Sequence, residues 1–257
     1  MLEVQHITKI YNPGTVHETC LFKDFSLKIE QGSFASVVGS NGSGKTSLLN
    51  ILCGSIPVEQ GKILMDNADI TKVKEFRRYR RMGRVYQNPA MGTCPTMNIL
   101  ENLSMADNKG KPFNLTRGTN KRRIEAYKAM LAPLGLGLED KMGIPVGSLS
   151  GGQRQALALL MATMNPIDFL ILDEHTAALD PKTAEIIMEL TAKIVAEKHL
   201  TTLMVTHNLR HALTYGDRLL MLHAGQVVLD RSGEEKKATQ LDDILGLFNA
   251  ISIECGN

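Results

Sequence analysis

The stretch Gly39-Ser40-Asn41-Gly42-Ser43-Gly44-Lys45-Thr46 carries the spacing G-x-x-x-x-G-K-[ST] in full, and its residue types suit a row of phosphates. Gly39, Gly42 and Gly44 permit backbone angles that turn successive N–H groups inward. A helical pattern follows, and its N-terminus adds partial positive charge. Lys45 can reach the β- and γ-phosphates of a nucleotide, and the Thr46 hydroxyl can ligate Mg²⁺. The complement lies further on, where Phe169-Leu170-Ile171-Leu172 runs into Asp173-Glu174. Two carboxylates thus emerge at the end of a buried strand, where ligands sit in parallel sheets. Asp173 can hold Mg²⁺ through water, while Glu174 orients or deprotonates an attacking water.

Two single residues join this chemistry only through the company they keep. Gln87, ahead of Asn88-Pro89, can polarise a water or contact Mg²⁺; taken alone it is a turn residue. His207, just past Thr202-Leu203-Met204-Val205, can bring an imidazole to a γ-phosphate; taken alone it is a structural histidine. A third loop, Leu149-Ser150-Gly151-Gly152-Gln153, is also built for an anion, with small residues at a helix start exposing N–H groups and a hydroxyl. It has no lysine and no acid of its own.

The elements that must position these groups are legible in the apolar pattern. Leu2–Ile7 and Phe25–Ile29 alternate as half-buried strands do, on either side of a Pro13-Gly14 turn. Phe34–Val38 is a near-continuous apolar run, the mark of a strand buried on both faces. It leads through the phosphate loop into a helix over Ser47–Leu52 that Gly54 can stop. Gly83–Gln87 reads as a short strand. From there to about Pro166 the patterns are helical: Ile99–Met105, Arg122–Leu134 and Gly152–Met164, with an exposed loop at Asp107–Thr119. Strands and helices then alternate again, with a helix from Pro181 to Lys198 capped by Asp180, strands Leu219–Leu222 and Val227–Leu229 around Ala224-Gly225, and a last helix over Leu241–Ala250. An α/β core is therefore interrupted by a helical insertion and resumed.

Composition narrows the function classes. A net charge of +2 over 257 residues gives no field to hold nucleic acid. The basic runs Arg77-Arg78-Tyr79-Arg80-Arg81 and Lys121-Arg122-Arg123 read as solvated helix faces. Cys20, Cys53, Cys94 and Cys255 are scattered and read as free thiols of a reducing compartment, not as a zinc site or disulfide framework. No apolar run approaches the roughly 18 residues of a membrane span, and no signal-peptide pattern opens the chain.

Gly39–Thr46, Gln87, Leu149–Gln153, Leu170–Glu174, Ala178-Leu179-Asp180 and Thr206-His207 follow one another in the order seen in ABC-transporter ATPase subunits. The chain resembles that family over nearly its whole length. The resemblance implies a P-loop NTPase (RecA-like) core with an antiparallel β-subdomain and an inserted α-helical subdomain. On that plan residues 1–87 and 166–230 form the catalytic core with its β-subdomain, 88–165 the helical signature subdomain, and 231–257 a tail. It implies that ATP and Mg²⁺ are bound, with Lys45 and Thr46 on phosphate and metal, Gln87 sensing Mg²⁺ and the attacking water, and Asp173 on the metal side. Glu174 would be the general base, His207 the γ-phosphate contact, and Tyr11 the ring stacked on adenine. It also implies a head-to-tail pair of subunits in which Ser150 and Gly152, within Ser150-Gly151-Gly152-Gln153, close over the ATP held by the partner, with Asp180 at the boundary. Cytoplasmic docking on a separate transmembrane permease follows from the same likeness.

The family usually reads Asp-Glu-Pro-Thr-Ser-Ala-Leu-Asp, whereas here His175 stands for Pro and Ala177 for Ser. This departure, with Tyr11-Asn12-Pro13-Gly14-Thr15, is similar to a branch of bacterial importer ATPases paired with substrate-binding lipoproteins, some taking amino acids. A soluble ABC ATPase of a non-transport assembly system, or an exporter subunit, shares the same single-cassette layout.

Overall fold

The computed structural model describes residues 1–111 and 118–254, with side chains up to residue 250. Cys255 and part of the Asp107–Thr119 loop lie outside the described residues. The chain divides into two units, Met1–Tyr79 with Lys198–Asn257, and Arg80–Glu197.

The first unit opens with β1 (Leu2–Tyr11) and β2 (Thr19–Ile29), paired antiparallel with Leu2 opposite Ile29. Alternation buries Leu2, Val4 and Ile7. Both strands run further than their apolar patterns predict, because the ladder continues through polar residues that periodicity cannot flag. A bulge interrupts them at His6, whose φ is 51° and where the register shifts between Val4 and Ile7. β3 (Phe34–Val38) is buried at every residue, as its near-continuous apolar run implies. α1 (Lys45–Cys53) follows the phosphate loop and ends at Gly54, whose φ of 85° lets its N–H reach back to the carbonyls of Asn50 and Ile51. β4 (Gln60–Met65) pairs antiparallel with β1, and β5 (Ala68–Asp69) with β4. Neither was legible in the sequence, since the first three residues of β4 are exposed and polar or glycine.

The short α2 (Glu75–Arg78) corrects one expectation. Arg78 does not belong to a solvated basic face; it is 5% exposed. Its guanidinium donates to the carbonyls of Ile51 and Leu52 at 2.9 and 2.8 Å, and to those of Val73 and Thr71 at 2.9 and 2.8 Å. A cation on the last carbonyls of α1 satisfies groups the helix leaves orphaned and complements its dipole. Arg78→Met should therefore lower the free energy of unfolding by about 2–4 kcal/mol, because charge-assisted hydrogen bonds are lost and buried carbonyls stay unpaired. The midpoint of urea denaturation reads this directly.

The second unit contains β6 (Met82–Val85), α3 (Ile99–Asp107), α4 (Ile124–Leu131), α5 (Gly151–Thr163), β7 (Phe169–Asp173) and α6 (Pro181–Glu197). Asn98 and Glu101 form a reciprocal cap on α3. The expected helix over Arg122–Leu134 is shorter, with 3-10 turns at Lys121–Arg123 and Ala132–Leu134 on either side of α4. Pro133 removes the N–H that would extend it. Arg123 is not wholly solvated either, since it pairs with Asp107, which also accepts from the Tyr127 hydroxyl. β6 and β7 run parallel with Val85 opposite Leu172.

The chain returns to the first unit with β8 (Thr201–Val205), α7 (Leu209–Thr214), β9 (Arg218–His223), β10 (Gln226–Ser232), α8 (Gly233–Ala238) and α9 (Leu241–Glu254). β8 and β9 flank β3 in parallel, and β10 pairs antiparallel with β9. The tail is part of the packing, because Ile244 of α9 joins a core of Val38, Ala212, Leu219 and Met221. Among the described residues Cys20, Cys53 and Cys94 are in no disulfide. Among the described residues no helix is long and apolar enough to cross a membrane.

Candidate functional site

In the first unit, Gly39–Thr46 joins the end of β3 to the start of α1. Gly39, Gly42 and Gly44 have φ of 156°, 79° and 105°, and the last two of these lie well inside the region that L side chains rarely adopt. A Cβ at Gly39 would also strike the Leu222 carbonyl. The Lys45 ammonium, 5% exposed, donates to the carbonyls of Gly39 and Ser40 at 2.7 and 2.8 Å. Thr46, Ser40, Asn41 and Gly42 are exposed, whereas Ser43 is buried and its carbonyl accepts from Gly225 N–H at 3.1 Å. The β9–β10 turn therefore braces the loop from beneath.

Two further groups stand beside this loop. The Tyr11 hydroxyl, at the end of β1, donates to Ser47 Oγ at 2.9 Å, so its ring borders the first turn of α1. His207 is exposed just past β8, the parallel neighbour of β3. Thr206 N–H bonds to the Val37 carbonyl at 3.1 Å, which fixes where the chain leaves the sheet. Phosphate loop and imidazole thus leave adjacent parallel strands at their carboxyl ends, the edge where open α/β sheets place ligands.

The second unit carries the acids. Asp173 ends β7 and Glu174 follows with φ 47°. Gln87 is exposed two residues beyond β6, and the pairing of Val85 with Leu172 sets Gln87 level with Glu174 along the sheet edge. Sequence reasoning missed two supports here. Arg84 pairs with Asp173, Nη2 to Oδ2 at 2.7 Å, and its guanidinium lies 4.6 Å from the Tyr86 ring centre. An arginine inside a strand otherwise of Met, Gly and Val was the available signal, since such a residue needs a carboxylate. Gln155, 1% exposed, donates to the Tyr86 carbonyl at 3.1 Å and so ties α5 to the chain entering Gln87.

Leu149–Gln153 forms the start of α5. Ser150 caps the helix: its Oγ accepts from Gln153 N–H at 3.2 Å, and Gln153 Oε1 accepts from Ser150 N–H at 3.2 Å. Gln153 Nε2 also donates to the Leu136 carbonyl at 3.0 Å. Gly152 is buried, and a Cβ there would collide with Thr183 of α6; Gly151 and Ser150 form the exposed lip. Asp180 caps α6, accepting from Thr183 N–H at 3.0 Å, and hydrogen bonds from the Thr183 hydroxyl and N–H hold its carboxyl below the usual carboxylate range.

A family model described as "ABC transporter" matches residues 22–177. The chain belongs to the ABC transporter family. It is one of that family's ATPase cassettes. It is 46% identical to a "Tyrosine transport ATP-binding protein" of Clostridioides difficile (strain R20291), over 96% of this chain and 98% of that protein. It is 33% identical to a "Phosphonates import ATP-binding protein PhnC" of Lactobacillus gasseri (strain ATCC 33323), over 95% and 92%. Among solved ABC structures, a dimeric post-hydrolysis state of the cassette MJ0796 bound to ADP and Pi superposes with a TM-score of 0.76 at 28% identity, covering 90% of this chain and 98% of that one. A nucleotide-free cassette from an ABC transporter gives 0.81 at 23% identity and speaks to the fold.

Proposed function

We propose that this chain is the ATP-binding and ATP-hydrolysing subunit of an importer, docked on a separate transmembrane permease at the cytoplasmic face and driving uptake of a small solute such as an amino acid. The observation that carries this reading is the 46% identity to a tyrosine transport ATP-binding protein across 96% of the chain. A second copy of the chain, packed head to tail, completes each ATP site, and a substrate-binding lipoprotein delivers the solute. The dimeric cassette among the solved relatives supports the pairing.

Each residue then has a task in keeping with its chemistry. N–H groups of Gly39–Thr46 wrap the phosphates, and Lys45, already lying on the loop carbonyls, re-aims its ammonium at the β- and γ-phosphates. Tyr11 presents its ring to adenine beside α1. Thr46, Gln87 and Asp173 are hard oxygen donors that fit Mg²⁺, and among the described residues no cluster of three or more His, Cys, Asp or Glu competes for it. The metal, when bound, neutralises charge on the phosphates. Glu174 takes the proton of the attacking water, His207 contacts the γ-phosphate, and Ser150 and Gly152 of the partner close the site.

Reconstitution of the chain with its permease and binding protein in vesicles tests the reading. ATP turnover should rise severalfold when an aromatic amino acid is supplied with the binding protein. Stimulation by a phosphonate or a polyamine instead would reject the amino-acid assignment, and turnover that ignores the permease would reject the transport role.

A further inference from the structure

Glu174 sits in an unusual backbone state. Its φ of 47° is left-handed, a conformation that a residue with a long side chain holds only when its surroundings over-determine it. The turn that follows is closed by Ala177 N–H on the Glu174 carbonyl at 2.9 Å and Leu179 N–H on the Thr176 carbonyl at 3.2 Å. Those bonds hold the Glu174 carbonyl and the far side of the turn, and the residues on either side of Glu174 constrain its backbone further. On one side β7 fixes Asp173. On the other stands His175, 2% exposed, with its ring in the interior.

That ring has a specific anchor. His175 Nε2 lies 3.1 Å from Thr191 Oγ1, in the middle of α6, and Thr191 is fully buried. The Thr191 hydroxyl has one proton and donates it to the Ile187 carbonyl at 2.7 Å. Thr191 Oγ1 can therefore only accept from the ring, so His175 carries its proton on Nε2. A bond of fixed donor and fixed acceptor locks the ring in both position and tautomer. The backbone of residue 175 cannot then rotate without breaking a buried hydrogen bond, and Glu174 is joined to it by one planar peptide.

We infer that the His175–Thr191 hydrogen bond is the positioning device for Glu174, with both residues acting through that carboxylate and neither touching ATP. The inference rests on the reading of Glu174 as the base. Its consequence is selective. Loosening the bond should disturb where the carboxylate points, and so the chemical step, while leaving the phosphate loop and its affinity for ATP alone.

Thr191→Val keeps shape and removes the acceptor, Thr191→Ser restores it, and His175→Gln keeps an amide donor where Nε2 lies. In the permease-bound complex, Thr191→Val should lower kcat roughly tenfold with an unchanged Kd for ATP, the scale of a small misplacement of a reacting group. Thr191→Ser and His175→Gln should recover most of that loss. Adding Thr191→Val to Glu174→Gln should cause no further fall, because a residue that acts through Glu174 has nothing left to position. Wild-type turnover in Thr191→Val, an equal loss in the Glu174→Gln background, or a weakened Kd for ATP would each overturn the inference. If Thr191→Val loses its cooperative thermal transition, the decision passes to His175→Gln against His175→Asn, whose shorter arm cannot reach Thr191; equal rates in that pair overturn it. Glu174→Gln alone keeps the two levels apart: full turnover there removes the base reading itself, whereas a dead Glu174→Gln beside a normal Thr191→Val removes only the positioning role.

Discussion

Glu174→Gln should reduce ATP turnover by about 10²–10⁴-fold, the range for losing a general base, while ATP still binds. The amide matches the carboxylate in size and cannot accept the water's proton. Nothing in the phosphate loop changes, since the substitution leaves Lys45, Thr46 and the loop N–H groups as they are. Binding without turnover then gives a second observable. If closure of two subunits over ATP is undone only by hydrolysis, the variant should accumulate as an ATP-bound dimer in size-exclusion chromatography, while the wild type elutes as a monomer once its ATP is spent. Phosphate release and elution volume are measured on the same samples. A variant that turns over at the wild-type rate would exclude Glu174 from the mechanism.

The residues proposed to meet phosphate were legible because their chemistry is local. Three glycines at fixed offsets, a lysine and a threonine make a loop whose shape is set by its own φ angles, and the structure finds positive φ at all three glycines. Asp173-Glu174 was legible because four apolar residues announce a buried strand and say where it must end. What escaped were long-range partners. Arg78 belongs to a run of basic residues whose neighbours face solvent, and only the fold brings it under the last turn of α1. Arg84 and Asp173 are far apart in sequence and meet because β6 and β7 are adjacent. Gly152 reads as a phosphate-approach glycine, and the fold adds a second demand, since Thr183 fills the space its missing side chain leaves. That is a requirement of helix packing and cannot be distinguished by composition. His175 is the sharpest instance: a one-residue departure beside the acids says nothing until Thr191 is seen opposite its ring.

Ser150→Arg should abolish hydrolysis while changing the Kd for ATP of the isolated subunit by no more than about twofold. Ser150 is exposed at the lip of α5, and its oxygen already accepts from Gln153 N–H. The hydroxyl proton is thus directed outward, toward whatever anion approaches the helix start. Within its own unit the lip maintains the capping box, the Gln153 bond to the Leu136 carbonyl and the Arg154 bond to the Leu149 carbonyl. Arginine breaks the cap, at a cost of about 0.5–2 kcal/mol to the helix, which a folded domain tolerates. Its larger effect is steric, for a long cation fills the space that small residues leave for a second molecule's nucleotide. Titration with a fluorescent ATP analogue separates binding from closure, and the Ser150→Arg/Glu174→Gln double variant makes the distinction sharp. It should bind ATP yet elute as a monomer, where Glu174→Gln alone elutes as a dimer. Ser150→Ala sets the scale between them, since it removes cap and donor without adding bulk, and should retain dimer formation with slowed turnover. Retained hydrolysis in Ser150→Arg would mean that the loop serves α5 alone, and that this chain's own residues complete the ATP site.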